Sequence, residues 1–184
     1  KLEDIKRDLP QSFVLFKPRD IVSGDFYWYS SKRDIMGNQK QIIAAVDCTG
    51  HGVPGAFMST IGIDLLDEIV NLMGIIEADS ILNYLHKLVR KALRQDETGN
   101  LDGMDMSVCV IDKKRGKMEF AGAKNPLVFV KDGQLHQIEG DRKSIGGYMR
   151  DETEERKFTK HIVSIGGGQP TSFYLFSDGY QDQF

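Results

Sequence analysis

Three aspartates stand at positions where a carboxylate can bind a hard metal ion: Asp25, Asp47 and Asp178. Each follows or ends a predicted strand and is flanked by glycine, in the strings SGDFYW, IIAAVDCTGHG and FYLFSDG. A carboxylate at a strand end points its oxygens out of the sheet, and a nearby glycine lets a cation and its waters approach the backbone. Such oxygen ligands favour magnesium or manganese over zinc or copper. The alternative is that each is an ordinary turn aspartate, because Asp-Gly and Gly-Asp are common turn dipeptides.

The segment VDCTGHGVPGAFMS favours the metal-site interpretation. It places the strand-end Asp47 before a glycine-rich turn and the start of a long helix, a layout that resembles other anion- and metal-binding loops. The segment lacks the GxxxxGK[ST] spacing and its lysine, so it is not a nucleotide-binding P-loop.

The surrounding pattern predicts strands, then two adjacent helices, then more strands. Strands are predicted over residues 13–16, 26–29 and 41–46, and later over 104–111, 117–120, 127–130, 134–138, 158–163 and 172–176. A helix from Pro54 has one apolar face, formed by Phe57, Ile61, Leu65, Ile69 and Leu72. A second helix begins at Asp79 and Ser80. This order is typical of an α+β domain with a mostly antiparallel sheet.

Bulk composition limits the class of protein. The chain has 184 residues, 40% hydrophobic and 28% charged, which fits one ordinary globular domain. Its formal net charge of -3 gives no basic face for nucleic acid. No apolar run approaches the roughly 20 residues of a membrane span. Cys48 and Cys109 lack CxxC spacing and are expected to be buried thiols of a cytoplasmic protein, without structural zinc.

The strings GDFYW, VDCTGHGVPGAFMS, GMDMSVCVID, FAGAKNPLVFV and LFSDGYQDQF occur in the order found in a known family. The chain resembles the SpoIIE-like (RsbU-like) branch of the metal-dependent PPM, or type 2C, serine/threonine protein phosphatases from about Phe13 onward. The resemblance implies two packed, mainly antiparallel β-sheets flanked by helices, with a binuclear Mn²⁺ or Mg²⁺ centre at one edge. Residues 1–10 are then the tail of an upstream linker helix, and 11–184 the phosphatase domain.

The resemblance also implies the role of each metal-site residue. Asp47 matches the aspartate that bridges both ions, and Cys48 the position whose backbone carbonyl is a ligand. Asp25 matches the acid of the second ion, and Asp178 a carboxylate on the first, so that Asp47 and Asp178 are the expected catalytic residues. The family closes its domain with a further helix and a strand bearing an Asp-Asp pair, and this sequence ends at Phe184 before them. A chain without that aspartate is expected to bind its first ion weakly, which leaves its own activity open.

The implied function is hydrolysis of phosphoserine or phosphothreonine on a partner protein in a bacterial signalling or stress-response pathway. In the resembled branch the partner is an anti-sigma-factor antagonist, and an upstream sensor or coiled-coil segment controls activity. The domain is expected in the cytoplasm without membrane contact of its own; a tether to a membrane sensor and a homodimer stay open. The alternative is a catalytically incomplete regulatory module that binds a phosphoprotein or dimerises. A calcium- or magnesium-stabilised binding domain is disfavoured because no EF-hand spacing is present.

Several other polar residues have two interpretations. His51 and Lys124 are candidate substrate-binding residues, His51 as a phosphate donor or general acid; each is alternatively a polar turn residue. Asp105 either assists the metal edge or only shapes its loop. His86, with His136 and His161, has no partner at ligand spacing and is expected at the surface or an interface. The basic cluster Lys87, Arg90, Lys91 and Arg94 is expected to be a solvated helix face rather than a binding site.

Overall fold

The computed structural model describes residues 1–18, 21–147, 157–166 and 170–179. Within these ranges the helices are α1 (Leu2–Asp8), α2 (Gly52–Asp67), which continues as a π-helical segment over Glu68–Leu72, α3 (Ala78–Ala92) and α4 (Gln95–Thr98). The strands are β1 (Phe26–Arg33), β2 (Gln39–Cys48), β3 (Gly103–Asp112), β4 (Lys117–Ala123), β5 (Leu127–Lys131), β6 (Gln134–Ile138), β7 (Ile145–Gly146), β8 (His161–Ser164) and β9 (Ser172–Tyr174).

The strands form two antiparallel sheets. The first has the order β1-β2-β3-β4-β8, and the short β7 also pairs with β3. The second has the order β6-β5-β9. The predicted central strand is therefore correct, since β2 lies between β1 and β3. The register pairs Phe26 with Val46, and Val46 with Met106, so the amino end of β1, the carboxyl end of β2 and the amino end of β3 share one edge.

Two apolar cores fill the spaces between the helices and the two sheets. One lies between the first sheet and the helices α2 and α3, and includes Trp28, Val46, Leu66 and Leu85, all nearly inaccessible to solvent. The other lies between the two sheets and includes Phe120. Because side chains alternate along a strand, the central strands β2, β3 and β4 contribute to both cores. The α+β class with two packed antiparallel sheets and helices is confirmed.

The apolar face predicted for α2 is only partly correct, although the helix itself is present. Phe57 and Leu72 are 66% and 82% exposed, whereas Ile69 is buried and Leu65 packs against the core. The buried face of α2 carries the small residues Gly55, Ser59 and Gly62 together with Met58 and Leu66. A Cβ on Gly62 would lie 2.8 Å from Cζ of Phe26, so the helix packs too closely on the sheet for larger side chains at this position. Spacing of large apolar residues alone could not identify that face.

The strand predicted over residues 13–16 is also wrong, because this segment joins neither sheet. Phe13 is 78% exposed. An aromatic-rich segment forms a β-strand only where a neighbouring strand pairs with its backbone. Residues 1–10, predicted to be helical, contain α1. Its Ile5 is buried, and Asp8 accepts a hydrogen bond from the Tyr29 hydroxyl at 2.7 Å, so α1 packs against the domain.

Candidate metal centre

Asp25, Asp47 and Asp105 form a row across three adjacent strands. Asp47 lies directly opposite Asp105 in the β2–β3 pairing. Asp25 immediately precedes Phe26, the residue that pairs with Val46, and so continues the same row. Val46 belongs to the core beneath the helices, so by alternation Asp47 points to the opposite face, toward the second sheet. The sequence predicted Asp25 and Asp47 at strand ends, and the register aligns them with Asp105.

Asp178 reaches the row from the other sheet. It follows β9, which belongs to the second sheet. Asp47 shares hydrogen bonds with both Asp178 and Asp25. The hydroxyl of Ser177 donates a hydrogen bond to Oδ2 of Asp25 at 2.6 Å, which ties the same segment to the start of β1. The three predicted aspartates therefore converge in one place.

The contacts around Asp47 change its acidity. Burial raises the pKa of Asp47 to about 8, together with its hydrogen bond to Asp178 and the negative charge of Asp25. Carboxylates held this close require either a proton or a cation between them. The group is thus a site of concentrated negative charge for which the described residues supply no positive partner.

The loop after β2 supplies backbone oxygens beside the aspartates. The thiol of Cys48 packs in the core beneath the helices, where burial raises its pKa to about 12, so only its carbonyl can face a ligand. A Cβ on Gly24 would lie 2.9 Å from the carbonyl oxygen of Gly50 and 3.3 Å from that of Cys48. Glycine is therefore required at position 24 for the chain to pass so close to these carbonyls.

The donor set fits a hard divalent cation. It combines the carboxylates of Asp25, Asp47 and Asp178 with a backbone carbonyl, which are the ligands that Mg²⁺ and Mn²⁺ prefer. In the ranges described, no set of three or more carboxylate, thiol or imidazole side chains forms a ready metal-binding group. Asp47 instead hydrogen-bonds to its two neighbours, and a cation would have to separate these carboxylates as it replaced the proton between them.

The two candidate substrate-binding residues lie in different surroundings. His51 occupies the N-cap position of α2, where it is exposed and makes no side-chain capping hydrogen bond. Lys124 follows β4, and its ammonium donates to Oδ2 of Asp105 at 3.0 Å. Ser144 donates to the other oxygen of Asp105 at 2.5 Å. Sequence reasoning missed Ser144 and Ser177; only Ser177 had a signal, its position next to Asp178.

Two expectations about α3 have different outcomes. His86 is half-buried and has a partner: its Nδ1 accepts a hydrogen bond from the amide of Gly146 at 3.0 Å, and burial lowers its pKa to about 4. The basic cluster lines a cleft of about 710 Å³ that contains none of the three aspartates. There Arg90 pairs with Asp96, and Arg94 pairs with Glu97, as expected of a solvated charged face.

The comparisons with known proteins identify one family model. The model described as Stage II sporulation protein E (SpoIIE) matches residues 37–183. No curated protein matches the chain. Among helices in the described part of the chain, none combines the length and apolar character needed to cross a membrane.

Several solved structures share the fold. The SiaA-PP2C domain of Pseudomonas aeruginosa is 30% identical, with 98% of this chain and 66% of that chain covered, at a TM-score of 0.81. The PP2C phosphatase domain of SpoIIE from Bacillus subtilis is 19% identical, with 82% and 39% covered, at a TM-score of 0.58. RsbX in complex with magnesium is 16% identical, with 90% and 71% covered, at a TM-score of 0.59. The chain thus spans less than two thirds of the first two structures.

Proposed function

This chain belongs to the SpoIIE family, and from that premise we propose that it is a metal-dependent phosphatase domain that hydrolyses phosphoserine or phosphothreonine on a partner protein. The family match and the SiaA structure confirm the resemblance and the PP2C-type fold predicted from the sequence. They also bear out the predicted class, a serine/threonine phosphatase. The observation that carries the proposal for this chain is the convergence of Asp25, Asp47 and Asp178 from both sheets.

We assign the cation ligands from this convergence. Asp47 would be the central ligand because it contacts both other aspartates, and Asp25 and Asp178 would hold the cations with it. The Cys48 carbonyl would complete the set beside Gly24. When bound, two magnesium or manganese ions would supply an activated water and neutralise charge on the phosphoryl oxygens. That RsbX was solved with magnesium supports a hard divalent cation here as well.

The chain's own residues orient these groups and bind the substrate. The Ser177 hydroxyl holds one oxygen of Asp25, which fixes how that carboxylate faces the site. The amino end of α2 follows the glycine-rich loop directly, and a helix amino terminus favours a phosphate. His51, at that terminus, donates to the phosphoryl group or acts as general acid, and Lys124 binds a phosphoryl oxygen. No covalent enzyme intermediate is needed in this scheme.

The finer assignments rest on the family resemblance. We propose that the substrate is an anti-sigma-factor antagonist and that the domain works in the cytoplasm. Residues 11–184 make up the phosphatase domain, and residues 1–10 connect it to an upstream sensor or coiled-coil segment. The packing of α1 through Ile5 and Asp8 supports a connection that can transmit upstream changes to the domain.

The proposal is tested with the full-length protein, a phosphoserine peptide and Mn²⁺. The variants Asp47→Asn and Asp178→Asn are expected to lower kcat/KM by roughly 100-fold or more, since each removes a cation ligand. They should also lose the rise in Tm that Mn²⁺ gives the wild type. Asp132→Asn is the matched control: Asp132 also precedes glycine in a turn, has a φ of 53° that asparagine tolerates, and lies at the β5–β6 turn.

Activity that persists in both ligand variants would reject the metal assignment. A wild-type protein that binds the phosphorylated partner but never releases phosphate would instead identify a regulatory module. Loss of activity in Asp132→Asn as well would point to general destabilisation, which the Tm measured without Mn²⁺ detects.

A further inference from the structure

Lys124 ends the row of side chains along the sheet edge. The last pair in the β3–β4 register joins Met106 to Ala123, so the next residues, Asp105 and Lys124, lie side by side. The row therefore reads Asp25, Asp47, Asp105, Lys124 across four adjacent strands. Three carboxylates are followed by one ammonium group, and the ammonium contacts the nearest carboxylate at 3.0 Å.

Asp105 has different partners from the other acids of the row. One of its oxygens accepts from Lys124 and the other from the hydroxyl of Ser144 at 2.5 Å. Asp25 and Asp178 share hydrogen bonds with Asp47. Asp105 thus carries its own positive and polar partners, and its charge is already balanced without a cation.

The backbone of Lys124 is held in an unusual conformation. Its φ of 59° lies in the left-handed region, which residues other than glycine seldom adopt. Its amide donates to the carbonyl of Asp141 at 2.8 Å. A Cβ on Gly122 would lie 2.4 Å from the carbonyl oxygen of Asn125, so the turn is tightly packed. Strained backbone that the surroundings hold in place is a feature of functional sites. Here it fixes the position from which the Lys124 side chain extends.

The ammonium of Lys124 is accessible to a substrate. Its side chain is 52% exposed, and the Asp105 side chain is 30% exposed. Among the described residues, Asp105 is the acceptor that the ammonium contacts. An ammonium has three N–H donors, and one contact leaves donors for an incoming phosphate.

We propose that Asp105 is a positioning residue that holds the Lys124 ammonium at the end of the carboxylate row, where it binds a non-bridging oxygen of the substrate phosphoryl group. This inference rests on the proposed phosphatase function. It assigns Asp105 to orientation of Lys124 instead of to cation binding, because both of its oxygens already accept hydrogen bonds. A phosphate dianion approaching three other carboxylates then meets one fixed positive side chain.

The test compares phosphate binding with cation binding in the full-length protein. Lys124→Met is expected to weaken competitive inhibition by inorganic phosphate and to raise KM about 10-fold, with kcat changed much less. Lys124→Arg should restore most of the loss because it keeps the charge. Asp105→Asn should weaken phosphate inhibition in the same direction, while the Mn²⁺ concentration for half-maximal rise in Tm stays at the wild-type value.

Lys131→Met is the matched control. Lys131 ends β5, and its ammonium donates to the carbonyl of Ser164 at 3.0 Å, away from the row. This variant should bind phosphate like the wild type. Calorimetric titration of inorganic phosphate with Mn²⁺ present needs no turnover, so it tests the lysine even if the phosphatase proposal fails.

Two results would overturn the inference. Unchanged phosphate binding in Lys124→Met would show that the ammonium does not bind phosphate. A shifted Mn²⁺ requirement in Asp105→Asn, with phosphate binding intact, would make Asp105 part of the cation site. Circular dichroism and the Tm without Mn²⁺ identify any variant that fails to fold. Lys124→Arg keeps the positive charge, so it shows whether a loss of phosphate binding comes from the missing charge or from a disturbed structure.

Discussion

The indole N–H of Trp28 donates a hydrogen bond to Oδ1 of Asp67 at 2.9 Å. This bond joins β1 to the last residue of α2, and the same oxygen also accepts from Asn71 and from the ammonium of Lys1. Trp28 is 1% exposed, so its N–H has no access to bulk water. One carboxylate oxygen thus connects the sheet, the helix that begins beside the metal centre, and the amino terminus.

Asp67 is expected to stabilise the fold mainly as an acceptor. Asp67→Ala leaves the buried Trp28 N–H unpaired and should lower the free energy of unfolding by about 2 kcal/mol. Asp67→Asn keeps an oxygen acceptor and loses only the exposed contact to Lys1, which costs less than about 1 kcal/mol. Urea denaturation of both variants measures the difference. Equal losses would show that the charge, and not the acceptor, stabilises this junction.

Gly24 is expected to be essential for cation binding because there is no room for a side chain. In Gly24→Ala the new Cβ would press on the carbonyls of Gly50 and Cys48, at 2.9 and 3.3 Å. We expect the Mn²⁺-dependent rise in Tm to shrink or disappear, along with a stability loss of roughly 1–3 kcal/mol.

A second glycine separates these two effects. Gly62→Ala also places a Cβ too close to its neighbours, but they are the flexible ends of Phe26 and Met104 in the core beneath the helices. It should change stability and leave the Mn²⁺ response intact. An equal Mn²⁺ response in Gly24→Ala and Gly62→Ala would show that position 24 has no special role in cation binding.

His86 is expected to make the fold less stable in mild acid. Its pKa is lowered to about 4 by burial, with smaller contributions from the positive charges of Arg90, Lys143 and Lys87, against about 6.5 in an unfolded chain. The unfolded state therefore binds the proton more readily, and stability falls as pH drops from about 6.5 toward 4. Because the imidazole is only half-buried, the loss between pH 7 and 5 should be about 1 kcal/mol.

His86→Gln provides the comparison, since a glutamine oxygen accepts from the Gly146 amide without titrating in this range. Urea midpoints at pH 7 and 5 should differ less in the variant than in the wild type. Identical pH dependence in the two proteins would contradict this role of His86.

The sequence predicted the convergence at the candidate metal centre because it depends on local signals. Asp25 and Asp178 each adjoin a glycine near a strand end, Asp47 ends a strand shortly before Gly50, and antiparallel strands bring such ends to a common edge. The contacts of Asp105 were left open because they depend on register. Its partners Lys124 and Ser144 lie 19 and 39 residues away, and no local pattern pairs them.

Other errors came from packing that a single segment does not encode. The buried face of α2 includes the small residues Gly55, Ser59 and Gly62, whose importance depends on how closely the sheet approaches. Residues 13–16 have the composition of a strand, but strand formation also needs a free neighbouring edge. His86 was placed at the surface because its partner, the amide of Gly146, lies 60 residues further along the chain.

Asp47 belongs to one sheet and Asp178 follows the last strand of the other, so their contact closes one end of the sandwich. A cation bound between them would act as a removable cross-link between the two layers, stronger than the shared proton it replaces. Chelation would then loosen the layers at this end, while the apolar core between the sheets, which includes Phe120, would keep the rest of the sandwich closed. Cation supply would in this way control the local opening of the domain as well as its chemistry.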